Sequence, residues 1–236
     1  MTKKFTIIIP IYNEIDAIFP LLDELIEEFK SEKPEIIVVD DGSTDNFLKK
    51  FKKIKNIKNI ILKKHTENLG KCAAMMTGAK SAKNELLVFM DGDGQNPPSE
   101  VRKLVNKWLE LKKEDRRSLL ICGNRIKRKD NFVKRVSSKF ANSLRKQILN
   151  DNCNDTACAL KALEKKDYIS LEYFRNMHRF LPALFILRDI KVINIPVVDR
   201  PRILGKSKFN FHNRFWVGMI DLIKVWNLIR KGRELK

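Results

Sequence analysis

Residues 85–98 read ELLVFMDGDGQNPP, and this stretch decides the fold. A short apolar run, long enough for one strand, breaks into an acidic, glycine-rich turn. Pro97-Pro98 then open a segment (99–111) with apolar residues at helical spacing, for which Ser99 is the expected cap. A strand without alternation is buried on both faces, which is the habit of a parallel sheet. Outward from this unit, residues 5–12 and 35–39 are apolar runs of the same kind, and 58–62, 119–122 and 191–197 supply further strands. Between them, 16–30 carries Ile18, Leu21, Leu22, Leu25, Ile26 and Phe29 at a helical period, and 70–81 reads as another helix. The alternation predicts an α/β fold with a mostly parallel, Rossmann-like sheet and helices on both faces.

Beyond residue 123 the character changes. Residues 131–149 read as a basic helix, 155–160 as a short irregular stretch, 170–187 as a helix around Pro182, 199–208 as a Pro- and Gly-containing loop, and 211–231 as a long final helix. No linker separates independent domains. The formal charge is +19, and the excess sits in 101–150 and 200–236, while the rest is close to balanced. Two basic blocks point to a polyanionic partner met by one part of the molecule: nucleic acid, an anionic membrane or phosphorylated ligands. The four cysteines, Cys72, Cys122, Cys153 and Cys158, form no CxxC pair and read as free thiols of a reducing compartment. The first residues lack the pattern of a signal peptide, so a cytoplasmic location is expected.

Ligands of such sheets bind outside the carboxyl ends of the strands. Three polar loops fall there: Pro10-Ile-Tyr-Asn-Glu14, Asp40-Asp-Gly-Ser-Thr-Asp45 and Asp91-Gly-Asp-Gly-Gln95. Several carboxylates in one crevice repel unless a cation or ligand compensates. Asp91 and Asp93, two apart in a turn, can both approach one hard divalent cation, Mg²⁺ or Mn²⁺, with Gln95 adding a carbonyl oxygen. An isolated Asp-x-Asp is equally an ordinary polar turn.

In order and at these intervals, Pro10–Glu14, residues 39–45, Asn68-Leu-Gly-Lys71 and residues 91–95 resemble the family 2 glycosyltransferases, whose nucleotide-sugar-binding fold is called GT-A. Gly123-Asn-Arg125, Asp155-Thr156, His178-Arg-Phe-Leu-Pro182 and the Arg202-x-x-Gly-x-Ser-Lys208 segment look like the dolichol-phosphate mannose synthase and polyprenol-phosphate sugar synthase subgroup. The resemblance implies metal-dependent, inverting transfer of a hexose-type sugar from GDP-mannose or a UDP-sugar to a polyprenyl phosphate. It implies that Pro10, Tyr12, Glu14 and Lys71 line the nucleotide-sugar pocket. Asp41, with Asp40 beside it, would contact base or ribose, and Asp91, Asp93 and Gln95 would hold the metal. Arg125, Lys134 or Arg135, and Ser138 would bind the acceptor phosphate. Arg202, Ser207 and Lys208 would lie on a loop that closes over the phosphates. Asp155 is either an orienting carboxylate beside the reaction or a loop cap.

On this reading residues 1–208 are the GT-A domain, with 1–123 the donor half and 124–208 the acceptor half, and 209–236 an amphipathic helix. The run 215–229 is shorter than the roughly 20 apolar residues that span a bilayer and carries charges, so no transmembrane segment is expected. Its polar positions, including Asp221, Lys224 and Asn227, form a narrow stripe. The protein is therefore expected to lie on an anionic membrane at the cytoplasmic face, or to dock on a membrane-protein partner. Ordinary roles fit other residues: His65 solvated among lysines, His178 in packing as readily as in catalysis, Met75, Met76 and Trp108 in helix cores. The rivals are a family 2 glycosyltransferase with a non-lipid acceptor, and a basic nucleic-acid-binding or non-catalytic membrane-associated protein. No reader motif for nucleic acid is present, so no nucleic-acid partner is expected.

Overall fold

A computed structural model describes residues 4–52, 59–115, 117–126, 145, 149, 151, 153–201 and 221–230. Seven strands form one sheet in the order β3-β2-β1-β4-β6-β5-β7. They are β1 (Phe5–Ile11), β2 (Glu35–Asp40), β3 (Ile60–Lys64), β4 (Leu86–Phe89), β5 (Leu119–Arg125), β6 (Lys161–Glu164) and β7 (Lys191–Val197). β1 pairs in parallel with β2 and β4, β2 with β3, and β5 with β7. Only β6 runs against its neighbours, pairing antiparallel with β4 and β5. The mostly parallel α/β sheet expected from the apolar runs is present.

Successive strand residues feed two cores. Ile7 and Ile9 pack with Phe5, Ile36, Val38 and Val88 beneath α1 (Ile15–Glu28) and α4 (Pro98–Glu114), which contribute Leu21, Leu25, Leu104 and Trp108. Ile8 points to the other face with Ile37, Leu87 and Phe89, against α3 (Lys71–Ser81) and its Ala74, Met75 and Ala79. Each such buried aliphatic or aromatic side chain contributes about 1.5–3 kcal/mol. Shorter helices complete the set: α2 (Phe47–Phe51), α5 (Lys165–Ile169), a 3₁₀ turn at Met177–Arg179 and α6 (Leu181–Ile186).

The structure departs from the sequence reading in four places. β6 was not expected: four residues between charged positions carry too little pattern, and Lys161 is buried at its start. α4 begins at Pro98 with Pro97 as its cap and no side-chain cap bond, so Ser99 is inside the helix. The fixed φ of proline starts a helix and its missing N–H is no loss there. Residues 170–187 are not one helix; Asn176 sits at φ 67, and Pro182 falls in the first turn of α6, the place a helix tolerates it. Finally, residues 221–230 are helical, but Asp221 is no part of an outer polar stripe. It is buried and accepts a hydrogen bond from Asn176 Nδ2 at 3.0 Å, while Leu222, Val225 and Ile229 join the α3-side core. Ile223 and Trp226 remain exposed.

Of the expected basic helix 131–149, Arg145 and Leu149 are described, and both are helical. Arg145 is buried, ion-paired with Asp151 at 2.8 Å and donating to Thr156 Oγ1 at 2.5 Å, so this member of the basic block is structural. Among the described residues no helix is long and apolar enough to cross a membrane.

Candidate active site

The carboxyl ends of β1, β2, β4, β5 and β7 open on one edge of the sheet, and β6, being reversed, starts there. The loops after β1 and β2 are stitched together: Asn13 N donates to Ser43 Oγ at 2.9 Å, Thr44 N to Asn13 Oδ1 at 2.6 Å, and Ile15 N to Asp45 Oδ2 at 2.9 Å. Asp45 thereby places a carboxylate at the N-terminus of α1, where the helix dipole favours it. The carbonyl of Glu14 accepts from Ala17 and Ile18 N, so Glu14 opens that helix.

Asp40, the last residue of β2, is fully buried. Its Oδ1 accepts from Ser43 N at 2.9 Å, and its Oδ2 has no hydrogen-bond partner among the described residues. A buried carboxylate oxygen with spare acceptor capacity at a strand end suits a ligand N–H or O–H. Asp41 differs. It accepts from Leu69 N at 3.0 Å and Gly70 N at 2.8 Å, and lies 2.7 Å from His65 Nδ1. His65 Nε2 in turn lies 2.9 Å from Thr77 Oγ1 on α3. The His65 ring is thus held between two partners with its side chain 9% exposed, not solvated as its lysine-rich surroundings suggested, and Asp41 in this arrangement fixes the turn that delivers Lys71.

Lys71 Nζ donates to Asp91 Oδ1. In the turn after β4, Gly92 lets β1 come close, since a Cβ there would lie 2.4 Å from Ile11 Cγ2. Gly94 has φ +73, a region that favours glycine. Gln95 N donates to Asp93 Oδ1 at 3.1 Å. No group of three metal-ligating side chains occurs among the described residues. Two carboxylates and an amide in one turn nonetheless fit a small divalent cation that completes its shell with waters and substrate phosphates. They do not resemble an all-protein cage.

Arg125, the last residue of β5, reaches Asp155 through Nε at 2.6 Å and Nη2 at 2.8 Å, and Asp199 through Nη1 at 3.4 Å. Burial pulls the Arg125 pKa down, and the ion pair with Asp155 more than reverses this, so the guanidinium is held charged. Burial raises the Asp199 pKa, Arg125 opposes it, and the nearby Asp155 and Asp93 add to the rise. The Asp199 carboxylate also accepts from Asn96 Nδ2 at 2.7 Å, and so links β7 to the Asp91–Asp93 turn.

Of the expected site residues, the structure gathers Asp40, Asp41, Lys71, Asp91, Asp93, Gln95, Arg125 and Asp155 along this edge, with Pro10, Tyr12 and Glu14 in the adjoining β1 loop. Lys134, Arg135, Ser138, Arg202, Ser207 and Lys208 lie outside the described residues. Asn96, Lys161, Asp199 and Arg200 were not named as site residues, and His65 was given only a solvated role. For Asp199-Arg200 a signal existed: a charged pair directly after an apolar strand is the pattern that flagged the other loops. His178 Nδ1 lies 3.0 Å from Cys72 Sγ, at hydrogen-bond distance, and His178 N donates to the same sulfur at 3.4 Å. A cavity of about 380 Å³ lies at the opposite edge near Glu32, Glu35 and Lys83, where the Glu35 carboxylate braces strand starts. We do not assign it to the chemistry.

An open α/β sheet with paired carboxylates after one strand and a half-buried arginine after another is an arrangement that suits phosphorylated ligands at a strand edge. The chain belongs to glycosyl transferase family 2, whose sequence model matches residues 6–171. It is therefore a glycosyltransferase. It is 30% identical over 234 residues to the dodecaprenyl-phosphate galacturonate synthase of Rhizobium johnstonii, covering 96% of this chain and 68% of the relative. It is also 30% identical over 217 residues to the undecaprenyl-phosphate 4-deoxy-4-formamido-L-arabinose transferase of Proteus mirabilis, covering 89% of this chain and 64% of that protein. The chain thus spans about two thirds of the length of these relatives. The glucosyl-3-phosphoglycerate synthase of Mycobacterium tuberculosis, solved with Mn²⁺, UDP-glucose and phosphoglyceric acid, superposes with a TM-score of 0.69 at 16% identity, over 97% of this chain and 80% of that one. Mannosyl-3-phosphoglycerate synthase from Rubrobacter xylanophilus gives 0.72 at 13% identity, over 98% and 75%. These likenesses establish the GT-A fold.

Proposed function

We propose that the protein transfers a hexose-type sugar from a nucleotide-sugar to a polyprenyl phosphate, with inversion and with a divalent cation. The observation that carries this is the presence, on one edge, of the Asp91–Asp93 carboxylates and Arg125, the half-buried guanidinium after β5. The lipid-phosphate acceptors in the names of both 30% identical relatives supply the acceptor class.

The division of labour follows from the chemistry. Asp40 Oδ2, buried with acceptor capacity to spare, takes a donor N–H or O–H from base or ribose, and Asp41 keeps the neighbouring turn in register. Asp91, Asp93 and Gln95 would hold Mg²⁺ or Mn²⁺, which when bound neutralises charge on the departing diphosphate. Lys71 adds a protein cation at the same carboxylate. A lipid phosphomonoester, with its second pKa at about 6, is already ionised near neutral pH. It needs placing more than deprotonating. Arg125 can exchange a carboxylate partner for that phosphate, with Asp155 holding the fork in plane. A phosphate oxygen then forms its bond to the anomeric carbon as the bond to the diphosphate breaks, the electron pair leaves with the nucleoside diphosphate, and no proton has to move. Lys134 or Arg135, Ser138, Arg202, Ser207 and Lys208 are assigned to the acceptor and closing-loop phosphates on the resemblance alone. So is the division into donor half 1–123, acceptor half 124–208 and terminal helix 209–236.

Attachment to the cytoplasmic face of an anionic membrane, directly or through a membrane protein, is part of the proposal. Exposed Ile223 and Trp226 support it.

The test is a screen of radiolabelled GDP- and UDP-sugars with a short polyprenyl phosphate and Mn²⁺ or Mg²⁺. Label extracted into organic solvent, dependent on cation and lipid phosphate, is the expected result. Label transferred only to a water-soluble phosphate such as glycerol 3-phosphate would sink the lipid acceptor, and transfer undiminished in chelator would sink the metal.

A further inference from the structure

Immediately after β7 the chain turns across the end of β4 and grips the acidic turn from outside. Arg200 N donates to Gln95 O at 2.9 Å, and Arg200 Nε donates to Gly94 O at 2.5 Å. Asn96 Nδ2 donates to Asp199 Oδ1 at 2.7 Å. The far side of the guanidinium is anchored by Glu24 Oε2 of α1 at 2.8 Å. Two consecutive carbonyls of the turn thus depend on one residue more than a hundred positions away in the chain.

The turn needs such a hold. It contains two glycines, and glycine has more backbone freedom to lose than any other residue. Gly94 sits at φ +73, where its carbonyl faces the guanidinium. Asp93, next to it, is fixed by Gln95 N at 3.1 Å, and Gln95 is itself held by Arg200. Orientation therefore passes from Arg200 through the backbone to the Asp93 carboxylate. The alternative role, a stabilising ion pair with Glu24, is weak: the two side chains are 27% and 37% exposed, and such pairs contribute little.

We propose that Arg200 is a positioning residue for the cation-binding turn, its guanidinium acting on the Gly94 carbonyl beside the backbone bond to Gln95, with Asp199 bracing the same turn through Asn96. This rests on the assignment of Asp91 and Asp93 to the divalent cation made above. Groups that orient metal ligands without touching the metal change affinity about 10- to 100-fold when removed.

The experiment titrates Mn²⁺ into the full chain with UDP and, separately, with GDP, reading free Mn²⁺ by electron paramagnetic resonance and folding by circular dichroism. Arg200→Ala should stay folded and bind Mn²⁺ about tenfold or more weakly, Arg200→Lys should lose less, and Glu24→Gln should stay within about twofold of wild type. Asp93→Ala should lose the Mn²⁺ site. If Asp93→Ala loses it while Arg200→Ala binds like wild type, the positioning role is wrong and the cation assignment stands. A loss in Glu24→Gln as large as in Arg200→Ala also overturns it, since Arg200 would then act through α1. Unchanged Mn²⁺ affinity in Asp93→Ala overturns the assignment and this inference together. Should Arg200→Ala fail to fold, Arg200→Lys decides: wild-type affinity there rejects the role, and a loss of about threefold or more supports it.

Discussion

The two halves of the catalytic edge hold their carboxylates by different means. On the β1, β2 and β4 side, Asp40, Asp41, Asp45 and Asp93 accept from backbone N–H groups, while Asp91 takes the Lys71 ammonium. On the β5 and β7 side, Asp155 and Asp199 are held by the Arg125 side chain, and Asp151 by Arg145. A backbone donor is part of the chain and stays when a ligand arrives. A guanidinium can change partners. The first half is therefore a preformed frame that a ligand would meet unchanged, and the second is an ion-pair cluster that a phosphate could enter by exchange.

Substitutions can break this contrast. The largest effect belongs to Asp93→Ala, expected to lower transfer by about a thousandfold with the fold intact, because charge stabilisation of the leaving group is lost; full activity of this variant would remove the turn from the chemistry. Next is Arg125→Met. It leaves Asp155, 5% exposed, buried without its partner, and should cost about 3–5 kcal/mol in a denaturant titration. The double variant Arg125→Met, Asp155→Asn should recover much of that loss, and failure to recover would mean that the pair is not the unit. Asp41→Ala strips acceptors from two backbone amides and His65 and should cost about 1–3 kcal/mol. It should also weaken nucleotide binding by calorimetry, whereas Arg125→Met should leave nucleotide affinity near wild type.

The smallest effect is a pH dependence. The folded pKa of Asp199 is raised above the unfolded value, chiefly by burial. The folded state then binds the extra proton between the two values, so stability falls as pH rises from about 4, the unfolded carboxylate value, through the folded pKa, and the cost is constant above it. Asp199→Asn lacks this slope. Denaturant titrations between pH 4 and 7 should show the variant gaining on wild type as pH rises; parallel curves would exclude Asp199 as a titrating member of the cluster.

What was legible in the sequence follows the same division. Parallel strands buried on both faces announce themselves as apolar runs, so β1, β2, β4 and β5 were readable, and with them the loops at their ends. The edge strand β3 was fainter because only one neighbour covers it. β6 was invisible: Lys161 and Glu164 bracket two apolar residues, and nothing local reveals that Lys161 is buried. Asp91, Asp93 and Arg125 could be picked out as types of residue in a pattern. Lys71 and Asp155 could be picked out too, but not as the partners of Asp91 and Arg125, because contacts of that separation leave no periodic mark. His65 was misread for the same reason, since the acceptor that buries it lies on β2's loop and the hydroxyl on α3.

The reversed strand has one more consequence. β5 leaves the sheet at the catalytic edge, and β6 re-enters at that edge instead of starting from the opposite one. Residues 126–160 therefore depart from and return to the same rim, with Arg125 at one foot and Lys161 at the other. Such an excursion can be lengthened, shortened or exchanged between lineages without shifting the register of any strand. The scaffold thus carries a grafting point on the rim of the candidate site, where chain could be added or removed while the sheet stays as it is.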